Sequence, residues 1–144
     1  MYSFDLSIEI NQPIEKVMEL YQKRILLPQW QPGLVLDDKI TSKTGELQYK
    51  MTFGSGRRKL VITETILRND LPEHYDVRFE LKGIINHVQN TFVPLSPSVT
   101  KWTSHVEYQF KGLKNLIATY MRSNFENQSG ILMRNFKGFA ETHR

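Results

Sequence analysis

Residues 111–144, KGLKNLIATYMRSNFENQSGILMRNFKGFAETHR, read as one long closing helix, and that reading decides what the rest of the chain can be. Leu113, Ile117, Met121, Leu132 and Phe139 recur at helical spacing and share a face. Asn124, Gln128 and Asn135 fall on that same face. An unpaired buried amide costs about 1–3 kcal/mol, so a helix that only plugs a core has little use for three of them. A helix lining a partly wet cavity tolerates them, and the stripe is therefore expected to face a binding pocket. Asn124 and Gln128, one turn apart, are the amides expected to meet a ligand carbonyl or hydroxyl. The alternative is that they bond to each other, to a tyrosine or to buried water. Ser129-Gly130 beside them either loosens the helix or admits a close approach of the sheet.

Outward from this helix the chain is a set of strands. Tyr2, Phe4, Leu6, Ile8 and Ile10 alternate with polar residues as a half-buried strand. Asn11-Gln12-Pro13 changes the period: Asn11 or Gln12 can cap, Pro13 suits a first helical turn, and Ile14, Val17, Met18 and Tyr21 mark a short amphipathic helix. A second short helix or turn reaches Trp30, and Pro32-Gly33 closes it. Strands are then expected over 36–42, 47–53, 60–68, 75–82, 86–95 and 99–110, with turn signals at Thr44-Gly45, Gly54-Ser55-Gly56, residues 69–73 and Ser96-Pro97-Ser98. A meander with one apolar face needs a cover, and the long helix is the element able to supply it. The expected fold class is α+β: a curved antiparallel sheet wrapped around the C-terminal helix, with two short helices after the first strand, forming a single domain over residues 1–144.

In this order of elements the chain resembles the START-like helix-grip superfamily (SRPBCC), which includes polyketide cyclase/dehydrase-like and plant-allergen-like ligand-binding proteins. The residues carrying the resemblance are Asn11 to Val17 after the first strand, then Trp30 with Pro32-Gly33. They continue with Thr63-Glu64-Thr65, Leu71-Pro72, Asn90-Thr91-Phe92, and Phe136-Lys137 with Glu141. The resemblance implies a cavity for a lipid, sterol, polyketide or aromatic metabolite. It does not imply one activity, because this fold hosts carriers, cyclases and chaperone-associated interaction modules alike.

Strand parity turns Tyr49, Met51, Phe53, Tyr75, Phe79, Phe92, Trp102 and Tyr108 inward, opposite Ile117, Met121, Asn124 and Gln128, and Trp30 joins this expected ligand-binding set. The same residues would also serve as plain core. Glu64 is the one candidate acid or base. Facing inward it would be a buried carboxylate of raised pKa, partnered with His87 or His105; with Thr63 and Thr65 inward it lies in water, which is the expected placement. The basic hairpin tip Arg57-Arg58-Lys59 could attract an anionic head group at a cavity mouth.

Composition excludes several classes. The chain has no cysteine, hence no disulfide or thiolate metal site. Its histidines His74, His87, His105 and His143 lack metal-ligand spacing, and no metal or cofactor is expected. No apolar run approaches the ~20 residues that span a bilayer, so stable membrane insertion is not expected and the default compartment is the cytoplasm. The net charge of +4 sits in residues 111–144, which hold six basic against two acidic side chains. A solvated face is the reading of that charge, and nucleic acid is not an expected partner because the aromatics alternate inward. The expected partner is a hydrophobic or amphipathic small molecule, bound by a monomer or homodimer. Alternatives are a cyclase or dehydratase acting through Glu64, and an interaction module.

Overall fold

The computed structural model describes residues 2–111 and 114–143, with the stretch 114–123 described by its backbone alone. Seven strands form one antiparallel sheet: β1 (Tyr2–Ile10), β2 (Leu34–Thr41), β3 (Leu47–Phe53), β4 (Leu60–Asp70), β5 (His74–Leu81), β6 (Ile84–Ser96) and β7 (Val99–Phe110). Their spatial order is β1-β7-β6-β5-β4-β3-β2, so each strand after β2 lies beside its predecessor and β1 returns to the far edge. Between β1 and β2 run α1 (Ile14–Gln22), a 3-10 turn (Arg24–Leu26) and α2 (Leu27–Trp30); α3 (Lys114–Glu141) closes the chain. The expected α+β helix-grip architecture is the one observed.

Local sequence explains most of these elements. β1 alternates half-buried and exposed side chains to its end at Ile10, as its apolar–polar alternation requires. Gly33 and Gly54 both adopt positive φ, which glycine reaches without the Cβ clash. The Gly54 amide donates to the Gly33 carbonyl at 2.9 Å, tying the turn after α2 to the end of β3.

The Asn11-Gln12-Pro13 segment works differently from its sequence reading. Pro13 itself is the N-cap of α1, and no side chain caps that helix. Gln12 Nε2 instead donates to the carbonyl of Ala140 at 2.8 Å and to that of His143, satisfying orphan acceptors at the C-terminal end of α3. The Asn11 amide donates to Glu141 Oε2 at 2.7 Å, and Lys137 Nζ donates to the Glu9 carbonyl at 2.7 Å. The end of β1 thus clamps the end of α3. Lys137 therefore belongs to this clamp and is not a freely solvated cation.

The core sits where α1, α2 and the C-terminal half of α3 meet the sheet. Phe136 is fully buried, and Val17, Leu20, Met133 and Ala140 pack with it. Tyr21 is the hub of an aromatic cluster, with ring centroids 4.9 Å from Phe92, 5.5 Å from Trp102 and Phe136, and 5.7 Å from Tyr75. Trp30 stacks on its other side at 5.9 Å. This cluster seals one end of the space between sheet and α3.

Candidate ligand-binding site

Strand register places the concave side chains in rows across the sheet. One row runs Tyr49, Glu64, Phe79, Asn86 and Tyr108 from β3 to β7. A second is aliphatic: Leu47, Ile66, Val77, Val88 and Val106. A third runs Asn69, Tyr75, Asn90, Ser104 and Leu6. Members of a row stand on adjacent strands about 4.8 Å apart and share a face. Together with Tyr21, Arg24, Trp30, Ser129, Leu132 and Met133 these rows enclose a cavity of about 250 Å³.

Polar groups concentrate at one end of it. Arg24, in the 3-10 turn after α1, forks Asp37 of β2 through Nε at 2.8 Å and Nη2 at 2.7 Å. Its Nη1 lies 2.7 Å from Glu64 Oε1, and its guanidinium carbon sits 3.5 Å from the centre of the Tyr49 ring. Burial pushes the Glu64 carboxyl above its ordinary range, against the pull of Arg24. Burial works against the charge of Arg24 too, but Asp37 and Glu64 more than offset it and hold the guanidinium firmly protonated. The Tyr21 and Tyr75 phenols are raised by burial, with the Glu64 charge adding to the effect.

Several polar atoms at the cavity lack partners. Glu64 Oε1 is in ion-pair contact with Arg24 but has no aligned hydrogen bond, and Trp30 Nε1 and Asn86 Oδ1 are buried with no hydrogen-bond partner. By contrast Asn90 is fully used: Trp102 Nε1 donates to its Oδ1 at 2.9 Å, and its own Nδ2 donates to the Tyr75 carbonyl at 3.0 Å. Asn90 therefore orients Trp102 and braces β5 against β6.

Of the side chains expected from sequence, Trp30, Tyr49, Met51, Tyr75, Phe79 and Trp102 line the cavity. Phe92 is buried under Tyr21 and Trp102, Phe53 packs against the core, and Tyr108 stacks on Phe125 at 4.5 Å; none of the three is on the wall. The side chains of Ile117 and Met121, and all of Leu113, lie outside the described residues.

Asn124 and Gln128 are exposed, and neither lines the cavity. The buried face of α3 runs through Ser129, Leu132, Met133, Phe136 and Ala140. At 3.6 residues per turn, Asn124 and Gln128 stand about 120° and about 80° round the helix from Phe136. Leu132 and Phe139 of the stripe read from sequence face the cavity and the core, but its amides Asn124 and Gln128 do not. The helix passes Ser129-Gly130 without a break, and a side chain on Gly130 would meet only the flexible end of Arg134. Ser129 instead reaches the cavity and bonds Tyr108.

Glu64 also departs from expectation. It is 6% exposed and points inward: it shares the parity of Ile66, two residues on, and its row-mates Tyr49 and Phe79 line the cavity. Its proposed histidine partners are elsewhere. His105 pairs with Asp5 at 2.7 Å and Glu107 at 3.2 Å, and it borders a shallow outer depression together with His87. The basic tip Arg57-Arg58-Lys59 is exposed and contributes nothing to the cavity. Arg24, Asp37, Asn86 and Tyr21 escaped the sequence reading. The signal available for Arg24 was a cation, next to Lys23, leading directly into the apolar Ile25-Leu26-Leu27, a charge that needs a partner where the chain turns inward. Among the described residues no group of three or more His, Asp or Glu side chains is placed to hold a metal ion.

No family model and no curated protein sequence matches the chain. Solved structures do. The chain is similar to the Zhui aromatase/cyclase from a Streptomyces species, at 9% identity and TM-score 0.79, covering 97% of this chain and 93% of that one. It is similar to Ara h 8.0201 at 15% identity and TM-score 0.77, covering 99% of both chains. It is also similar to the truncated norcoclaurine synthase from Thalictrum flavum, at 14% identity and TM-score 0.72, covering 99% and 95%. Near-complete coverage over one sheet-and-helix arrangement shows that the chain shares the helix-grip fold of these structures.

Proposed function

We propose that the protein binds a small amphipathic molecule in the cavity between sheet and α3, as a carrier or receptor. The observation that supports this reading is a cavity of about 250 Å³ with a largely aromatic and aliphatic wall that leaves Asn86 Oδ1 and Trp30 Nε1 without partners among the described residues. Apolar wall supplies affinity at roughly 25 cal/mol per Å² of buried surface. Each unpartnered buried polar atom costs about 1–3 kcal/mol, so a ligand that meets these atoms removes a cost the empty protein carries.

Native mass spectrometry of the protein as purified tests the reading, together with melting curves across fatty acids, sterols, flavonoids and aromatic amines. A retained small-molecule mass is expected, or a stabilisation of about 2.7 kcal/mol for a ligand at 100 times its dissociation constant. No retained mass and an unmoved melting temperature across the whole panel would overturn it. The same spectra report whether the protein is a monomer or homodimer. Among the described residues no helix is long and apolar enough to cross a membrane.

One observation favours a second reading, an enzyme of cyclase or dehydratase type. Glu64 is a buried carboxyl of raised pKa whose charge is felt by the Tyr75 and Tyr21 phenols. In that case Glu64→Gln abolishes turnover of a bound substrate while the substrate still binds; equal turnover by both proteins removes the reading.

A further inference from the structure

The charge balance of the cavity narrows its occupant. Among the described residues, Arg24 and Glu64 are the charged side chains on the wall, and Asp37 stands behind Arg24. Two carboxylates therefore meet one guanidinium. Lys39, opposite Tyr49 at the sheet edge, is exposed and does not line the cavity.

Arg24 is already engaged by two carboxylates. Nε and Nη2 are forked by Asp37, Nη1 is against Glu64, and one face of the guanidinium is covered by the Tyr49 ring. A ligand carboxylate would bring a third negative charge to a single guanidinium already paired with two. It would also have to sit beside Glu64 in a water-poor space, where like charges repel strongly. Beyond the Arg24 contact Glu64 Oε1 has room to accept a further hydrogen bond, and Asn86 Oδ1 is a buried acceptor without a partner among the described residues. Glu64 and Asn86 stand in one cross-strand row with Phe79 between them. Two strand spacings separate them, about 10 Å, the length of a small aromatic molecule with a short arm.

Granted the ligand-binding reading above, we propose that the occupant is a small aromatic amine. Its protonated nitrogen meets Glu64 Oε1, its ring lies along Phe79 and Tyr75, and a second donor on its body bonds Asn86 Oδ1. Aromatic faces around an ammonium add cation–π attraction. A cation at this position also counters the burial that raises the Glu64 carboxyl. The cavity volume lies near the lower end of small-molecule pockets, which run roughly 300–1,000 Å³, and this suits one or two rings better than a sterol or a long acyl chain.

Three probes of one shape test the assignment: tryptamine, tryptophol and indolepropionate, each titrated calorimetrically into the whole protein at neutral pH. Tryptamine is expected to bind about tenfold or more tightly than indolepropionate, and more tightly than tryptophol. Glu64→Gln is expected to erase the preference for the amine while leaving tryptophol binding in place. Asn86→Ala, which keeps the charges intact, is expected to weaken tryptamine without changing the order of the three. Indolepropionate or tryptophol binding as tightly as tryptamine to the wild type overturns the amine assignment and leaves cavity binding standing. No binding of tryptamine also overturns it. If fatty acids, sterols and flavonoids are inert as well, the ligand-binding reading goes with it.

Discussion

Arg24→Leu tests the central feature of the cavity, the guanidinium held between two carboxylates. The substitution keeps an apolar side chain of moderate size but leaves Glu64 buried without its counter-charge. The side chain of Glu64 is 8% exposed and that of Asp37 16%, so Asp37 has more freedom to turn toward water. At 2.7 Å and an effective dielectric near 20, one such contact is worth about 6 kcal/mol before desolvation is subtracted. Breaking a buried pair by removing one partner costs about 3–5 kcal/mol net. A loss near 3–4 kcal/mol is expected at pH 8, a drop of about 10 °C in melting temperature for a chain of this length.

The loss should depend on pH. Burial already raises the Glu64 carboxyl above its ordinary 4.5, and without Arg24 it rises further. A carboxyl whose folded-state pKa is raised contributes most below its unfolded value and loses that contribution as pH rises through the folded value. The variant should therefore recover toward pH 5, where protonated Glu64 carries no buried charge. Adding Glu64→Gln to Arg24→Leu should restore much of the stability at pH 8, as coupled neighbours do. Chemical denaturation at pH 5 and pH 8 reads all three proteins. A loss for Arg24→Leu below about 1 kcal/mol, or an equal loss at the two pH values, would refute the account of a buried, arginine-dependent carboxylate.

Two further substitutions probe the frame around the cavity. Asn90→Ala strands the Trp102 Nε1–H and removes the bond to the Tyr75 carbonyl, and should cost about 2–3 kcal/mol in denaturant unfolding; a near-neutral result would mean that Asn90 braces nothing. Phe136→Ala empties the fully buried centre of the aromatic cluster and should cost about 3–5 kcal/mol, with a change in tryptophan fluorescence from Trp30 and Trp102, and unchanged emission would contradict the packing.

How much of this was legible in the sequence differs from element to element. The alternation of β1 and of Tyr75, Val77 and Phe79 in β5 announced both strands and their inner faces, because the side-chain period of a strand is two and a half-buried strand must match it. Trp30, Tyr49, Met51, Tyr75, Phe79 and Trp102 reached the cavity wall for the same reason. Parity allowed Glu64 inside with Ile66, and the expectation of a solvated carboxylate failed because Arg24, from the turn after α1, supplies its counter-charge there. The phase of α3 failed in part. Its apolar residues are sparse enough for two stripes to compete, and packing against Trp30 and Tyr21 selects the one through Phe136, which leaves Asn124 and Gln128 in solvent.

By itself the sequence determined the order of strands and helices, the one-sided apolar sheet and the need for a single long cover, and with them the helix-grip fold. These follow from local periodicity and from the rule that an apolar face must be buried. The tertiary structure alone decided which polar groups share the cavity. Arg24, Asp37 and Glu64 come from a 3-10 turn and two different strands, and their contacts, all within 2.8 Å, depend on sheet curvature and register. Charge pairing across such separations has no periodic trace in a chain. It exists only once the backbone has closed, and the proposed preference for a cationic ligand rests on it.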